Sequence, residues 1–214
     1  MDISLFPIWT GKVAICIGGG ASLTQEQVDK TKGYKVIAIN DAYKLAPHAD
    51  ILYACDRKWW DLHRGAEDFK GYKLQHEFDV RPDDSSILKP YPGIDMILSS
   101  GEYGWDDRDD RIRTGGNSGY QALQIAIKLG ATTIGLLGYD MHAEGENSHW
   151  FGEHPGGDGD PAKYNKWIER FPDIKKAADE KGVKIYNCTP NSALDCFPRC
   201  DIEDLGLINN KESE

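Results

Sequence analysis

Residues 12–17, 36–40, 51–56, 132–137 and 183–188 are short, nearly unbroken apolar runs, and they constrain the fold more than anything else in the chain. A strand that is apolar at consecutive positions has both faces covered. Where such strands alternate with helical patterns, they build a parallel sheet between layers of helix. The helical patterns fall at 24–30, 59–64, 120–129 and 162–181, the last broken or kinked by Pro172. The fold class is therefore α/β, a mainly parallel sheet with helices on both faces, in a single domain over residues 1–208. The polar tail at 209–214 is expected to be disordered.

Between residues 66 and 112 the pattern weakens. Segments 72–78 and 96–99 are plausible strands, and the mixed-charge run 106–113 reads as a solvated loop or helix end. Near the carboxyl end, Pro190-Asn191-Ser192 is expected to turn into a short closing helix. At the other end, Phe6, Ile8 and Trp9 are expected to pack onto the sheet edge.

The richest stretch is Thr114-Gly115-Gly116-Asn117-Ser118-Gly119, which runs into the helix at 120–129, the strand at 132–137 and then Gly138-Tyr139-Asp140. Asn117 or Ser118 can cap that helix. In open α/β sheets the carboxyl edge is where ligands bind, over exposed helix N-termini. A second glycine loop, Gly18-Gly19-Gly20-Ala21-Ser22, follows the first strand and lets backbone approach a phosphate without an intervening Cβ. It is not a P-loop, since no Gly-Lys-Ser/Thr follows. Leu23 also stands where the dinucleotide fingerprint has its third glycine, so a plain tight turn is the competing reading.

Asn40, Asp56 and Asp140 each end a strand. They suit a ribose, a base edge or a metal, or they simply cap loops. The loop at 140–160 carries His142, His149 and His154 beside Glu144, Glu146 and Glu153. Histidine suits proton transfer near neutrality, and carboxylates can orient it. The spacing fits no zinc signature, and a solvated polar loop is the alternative. Trp150 and Phe151 favour a loop packed as a lid over the ligand.

A net charge of −10 argues against a nucleic-acid backbone as partner. No apolar run is long enough to span a membrane. Residues 1–10 lack the charged and apolar regions of a signal peptide, and five cysteines make an odd count, which together point to a reducing cytoplasm. Cys196 and Cys200 would suit a metal clip, but no second ligand pair accompanies them, and a structural reading is preferred.

The ordered set Ile17-Gly18-Gly19-Gly20-Ala21-Ser22-Leu23, Ser118-Gly119-Tyr120, Leu137-Gly138-Tyr139-Asp140, Asn147-Ser148-His149-Trp150-Phe151-Gly152-Glu153-His154 and Cys188-Thr189-Pro190-Asn191-Ser192-Ala193-Leu194 resembles the bacterial lipooligosaccharide sialyltransferases. Their wider relatives include archaeal enzymes similar to 6-hydroxymethylpterin diphosphokinase and many phage proteins. The resemblance implies a Rossmann-like variant of the GT-A fold and a cytidine-monophosphate-activated sugar, with no metal needed. By position, Gly18, Gly19, Gly20, Ser22 and Asn40 would hold the nucleotide, and Asn117 and Ser118 would sit near its phosphate or sugar. Asn191 and Ser192 would line the nucleotide pocket. His154 would be the general base, with His149 its rival because Glu153 is inserted before His154. Gly19 and Asp56 each stand where the family has asparagine. His142 lies near one place of a tyrosine pair that the family uses to support the departing phosphate. The family's membrane-associating C-terminal extension has no counterpart in this sequence.

The expected activity is transfer from an activated nucleotide of CMP, UDP or ATP type, foremost a nucleotide-sugar glycosyltransferase, with Asp140 and His142 near the transferred group. One alternative is diphosphoryl transfer from ATP, with Asp56 and Asp140 holding Mg²⁺. Another is a non-catalytic phage-type protein that binds or sequesters a nucleotide. The expected partners are a small-molecule nucleotide and an acceptor; a homo-oligomer is left open.

Overall fold

Alternation inside the apolar runs decides which face of the sheet each side chain serves. The computed structural model describes residues 8–76, 91–143, 148–152 and 162–211. Its strands are β1 (Val13–Ile17), β2 (Lys35–Ile39), β3 (Ile51–Ala54), β4 (Tyr72–His76), β5 (Asp95–Ser99), β6 (Arg111–Ile112), β7 (Thr133–Leu137) and β8 (Lys184–Asn187). Among the described residues they form one all-parallel sheet of order β6-β5-β4-β3-β2-β1-β7-β8. Ala14 and Cys16 of β1 point into one core layer, while Val13, Ile15 and Ile17 point into the other.

Each layer has its own helices. The first is covered by α3 (Ser118–Lys128) and α5 (Phe171–Glu180), through Leu123, Ala126, Phe171 and Ile174. The second is covered by α1 (Gln25–Asp29), α2 (Arg57–Leu62) and α6 (Leu205–Lys211), through Val28, Trp59, Trp60 and Leu205. This is a Rossmann-like α/β arrangement with helices on both faces. Helix α1 has only five residues and could not persist alone. Thr24 holds it with a capping box: its hydroxyl accepts from Gln27 N, and the Gln27 side chain accepts from Thr24 N.

The chain steps outward from β1 to β6, returns through α3, and places β7 on the other side of β1. The strand order thus reverses at β1, and the carboxyl ends of β1 and β7 mark the place where an open α/β sheet offers a cleft. No helix among the described residues is long and apolar enough to cross a membrane.

Several boundaries differ from the sequence reading. The charged run at 106–113 contains β6, whose Ile112 is buried against β5. A two-residue strand is too short to show a period. The pattern at 162–181 is two helices, α4 (Lys163–Ile168) and α5, because Pro172 sits in the first turn of α5, where its missing N–H costs nothing. No helix follows Ser192. Helix resumes at Ile202, since side chains of Asn187 and Ser192 satisfy the intervening backbone. The tail is helical to Lys211, and Asn209 Oδ1 accepts from Thr132 and Thr133. Trp9 is fully buried and donates its amide to Leu129 O at the end of α3, but Ile8 is 75% exposed. Phe6 and residues 77 and 78 lie outside the described residues.

Before β6, Asp106 is buried and receives three hydrogen bonds from Arg108, at 3.0, 2.9 and 2.6 Å. The Arg108 guanidinium holds this carboxyl well below the ordinary range. A depressed folded pKa adds stability above the unfolded value near about 3.9 and loses it as pH falls further. Asp106→Asn is thus expected to melt a few degrees below wild type at pH 7, with the gap closing below about pH 4. Thermal melts at pH 7, 5 and 3 measure this.

Candidate functional site

A cleft of about 330 Å³ occupies the switch point between β1 and β7. Gly18, Gly19 and Gly20 form one wall, and Asn117, Ser118 and the first turn of α3 form another. Asn40 and Asp56 enter from the ends of β2 and β3, and His142 and His149 from the segment after β7. Ten of the expected site residues thus converge on one opening: Gly18, Gly19, Gly20, Asn40, Asp56, Asn117, Ser118, Asp140, His142 and His149. Ser22, Asn191 and Ser192 are not among the lining residues, and His154 lies outside the described residues.

The helix that opens on the cleft is α3. Asn117 caps it by accepting from Tyr120 N at 2.9 Å. This leaves the amides of Ser118 and Gly119 without an acceptor among the described residues, at the positive end of a helix of eleven residues. Gly119 is required there, because a Cβ would lie 2.7 Å from Tyr139, whose hydroxyl donates to Gly119 O.

The first glycine loop has a different purpose from the one its composition suggests. Helix α1 starts beyond Thr24, which does not line the cleft. Gly18 N donates to Leu137 O and Gly20 N to Gly138 O, so two of the three glycine amides are spent on the end of β7 and the residue after it. A Cβ on Gly18 would stand 2.6 Å from Gly138 O, and one on Gly20 would stand 2.1 Å from Asp140 Oδ2. Only Gly19 has an amide without an acceptor among the described residues.

Asp140 is 3% exposed and its two oxygens are occupied. Ser22 N donates to Oδ2 at 2.9 Å, and the Ser22 hydroxyl donates to Oδ1. Asp140, expected near the transferred group, lines the cleft and also ties the two loops together. Ser22 is the other half of that tie. Ser192 is buried behind the cleft, donating to Tyr139 O while accepting from Asn187 Nδ2 and Leu194 N. Asn191 contributes its backbone carbonyl, which faces His142 Nε2 at 2.8 Å.

The two histidines that line the cleft are held differently. His149 stacks on Phe151, and its Nδ1 lies 3.2 Å from Gly19 O. A carbonyl only accepts, so Nδ1 carries a proton in this contact. Both nitrogens of His142 face carbonyls, Ala143 O at 3.1 Å and Asn191 O at 2.8 Å. Only the imidazolium donates to both at once.

The chain matches no family model, no curated protein and no solved structure.

Among the described residues no three His, Cys, Asp or Glu side chains group as a metal site would require. The five cysteines are free and none lines the cleft. Burial pushes the thiols of Cys16, Cys55 and Cys188 up to about 12, and that of Cys196 to about 11, which leaves them poor nucleophiles.

Two contributors escaped the sequence reading. Asp41 is buried beside Asn40 and accepts from Trp59 Nε1 and His63 Nε2, both at 2.9 Å, and pairs with Lys44. Burial opposes its charge, but these donors still hold its carboxyl below the ordinary range. The cluster fixes the turn where Asn40 adopts a φ of +50°. The second is the face of α4, where Lys163, Tyr164 and Trp167 complete the lining.

Proposed function

We propose that this chain binds an activated nucleotide in the cleft and transfers its activated sugar to an acceptor hydroxyl. The observation that carries the reading is the coincidence, at the switch point of a parallel sheet, of the open first turn of α3 with the Gly19 amide. Donors of that kind suit a phosphate. The residues then divide by chemistry. His149, anchored through Nδ1 at the cleft, suits the acceptor's proton, and His142, which also lines the cleft, suits the charge that grows on a departing phosphate. His154, five residues further along the sequence, is the other candidate base. Asn40 and Asp56 suit hydroxyls at the far end.

Melting temperature in the presence of CMP, UDP and ATP, each with and without Mg²⁺, tests this directly. At about a hundredfold excess over Kd the true ligand adds about 2.7 kcal/mol. For a chain of this size that is a rise of roughly 5–11 °C. If none of the three moves the melt, the reading falls. A shift confined to ATP with Mg²⁺ favours phosphoryl transfer, with Asp56 as the carboxylate for the metal. Turnover of CMP- and UDP-activated sugars by His149→Ala and His154→Ala then identifies the base: the deficient variant loses turnover and keeps nucleotide affinity.

A further inference from the structure

Helix α4 brings three cleft-lining side chains that neither the glycine loops nor the histidine loop accounts for. None of its residues is fully buried, and although Trp167 and Ile168 pack partly against the first core layer, core packing does not account for Tyr164 or for the cleft-facing side of Trp167. Tyr164 and Trp167 meet edge to face, with ring centroids 5.5 Å apart and planes at 86°. Lys163 Nζ stands 5.4 Å from the centre of each ring. Lys163 is also the one Lys or Arg among the described lining residues, in a chain whose net charge is −10.

The corner is held in place from below. Arg170 donates to Gly115 O, pairs with Glu102 and lies 5.1 Å over the Tyr103 ring. A Cβ on Gly116, where φ is +62°, would lie 2.5 Å from Arg170 Nη1 and 3.7 Å from Trp167 Nε1. The glycine therefore lets α4 close against the loop that precedes α3. Trp167 Nε1 has no acceptor among the described residues, which leaves an indole N–H at the rim of the cleft.

The geometry points to α4 as the ligand-reading half of this cleft: Lys163 binds the anionic phosphate portion of a nucleotide, and the Tyr164–Trp167 corner stacks a planar ring. An ammonium against phosphate and a π-face against a base are separable contributions. The assignment rests on the nucleotide reading above and makes a sharper claim, because Lys163 must discriminate by phosphate content while Trp167 must not.

Isothermal titration with cytidine, uridine and adenosine and with their mono- and diphosphates separates the two. Lys163→Met is expected to weaken diphosphates about tenfold or more and nucleosides less than about twofold. Lys163→Arg should restore most of the loss. Trp167→Ala is expected to weaken nucleoside and diphosphate by the same factor, about tenfold. Trp167 packs partly against the core, so a melt without ligand is run on each variant, and affinities are compared at a temperature where every variant is folded. Equal loss for nucleoside and diphosphate in Lys163→Met, or no loss at all, overturns the assignment of Lys163 while leaving nucleotide binding intact. Failure of every probe to bind the wild type overturns both readings.

Discussion

Gly20→Ala is expected to lower the free energy of unfolding by about 3 kcal/mol, the upper end of what forcing extra volume into a packed site costs. Its Cβ would fall 2.1 Å from Asp140 Oδ2, 2.6 Å from Asp140 Cγ and 2.7 Å from Gly138 O. None of these is the far end of a flexible side chain, since Ser22 pins the carboxylate and Gly20 N binds Gly138 O. Gly19→Ala, one residue away, meets only His149 Nδ1, at 3.5 Å, an ordinary contact. It should cost less than about 1 kcal/mol. A loop whose glycines all served a phosphate would show neither contrast. Urea unfolding of both variants decides between the two accounts. Asp140→Ala sharpens the test: it removes two of the three close contacts and leaves Gly138 O. Gly20→Ala should therefore cost less in that background, a coupling of about 1 kcal/mol in a double-mutant cycle. Purely additive effects would mean that Asp140 and Gly20 are not in contact in solution.

That contrast also marks where the sequence stops being readable. The runs around Ile15, Ile37, Leu52 and Leu136 announce buried parallel strands because each is apolar at successive positions, and their carboxyl ends predict the edge on which the cleft lies. What a polar residue does at that edge depends on partners far along the chain. Asp140 looks like a free carboxylate from its neighbours, and its partner Ser22 stands 118 residues away. Ser192 likewise reads as a pocket residue until Tyr139 O, 53 residues distant, claims its hydroxyl. Helix α4 failed for another reason. Tyr164 and Trp167 continue the spacing of Phe171 and Ile174, and periodicity cannot tell a core stripe from the wall of a cleft. Asp41 gave no signal beyond a single acid after a strand, since Trp59 and His63 reach it only once α2 folds back.

The wall formed by the segment after β7 depends on one amide, and changing it to a carboxyl should have the largest effect in the molecule. Asn187 is 1% exposed at the end of β8. Its Nδ2 donates to Ser192 Oγ and Leu194 O, each at 3.0 Å, and its Oδ1 accepts from Thr189 N at 3.0 Å. Through Ser192 the amide reaches Tyr139 O, and through Thr189 it reaches Tyr139 N, so both backbone polar groups of Tyr139 are held from Asn187. Asn187→Asp keeps the shape and the acceptor for Thr189. It replaces two donors with an oxygen that faces the Leu194 carbonyl. At pH 7 the buried, uncompensated charge should cost about 4 kcal/mol. Burial and that carbonyl both disfavour the anion, so the folded pKa rises above the unfolded value of about 3.9. A raised folded pKa makes the neutral form the one that folding favours. Stability is then highest below about pH 4, where a protonated carboxyl can donate to Leu194 O, and it falls as pH rises through the folded value. Asn187→Ala removes the same bonds without a charge, so its deficit relative to wild type should not depend on pH. The diagnostic is the difference between the two variants in urea unfolding at pH 4.5 and pH 7.5. If Asn187→Asp gains nothing on Asn187→Ala at the lower pH, the Asn187 amide does not donate to the Leu194 carbonyl, and the segment after β7 is held by packing alone.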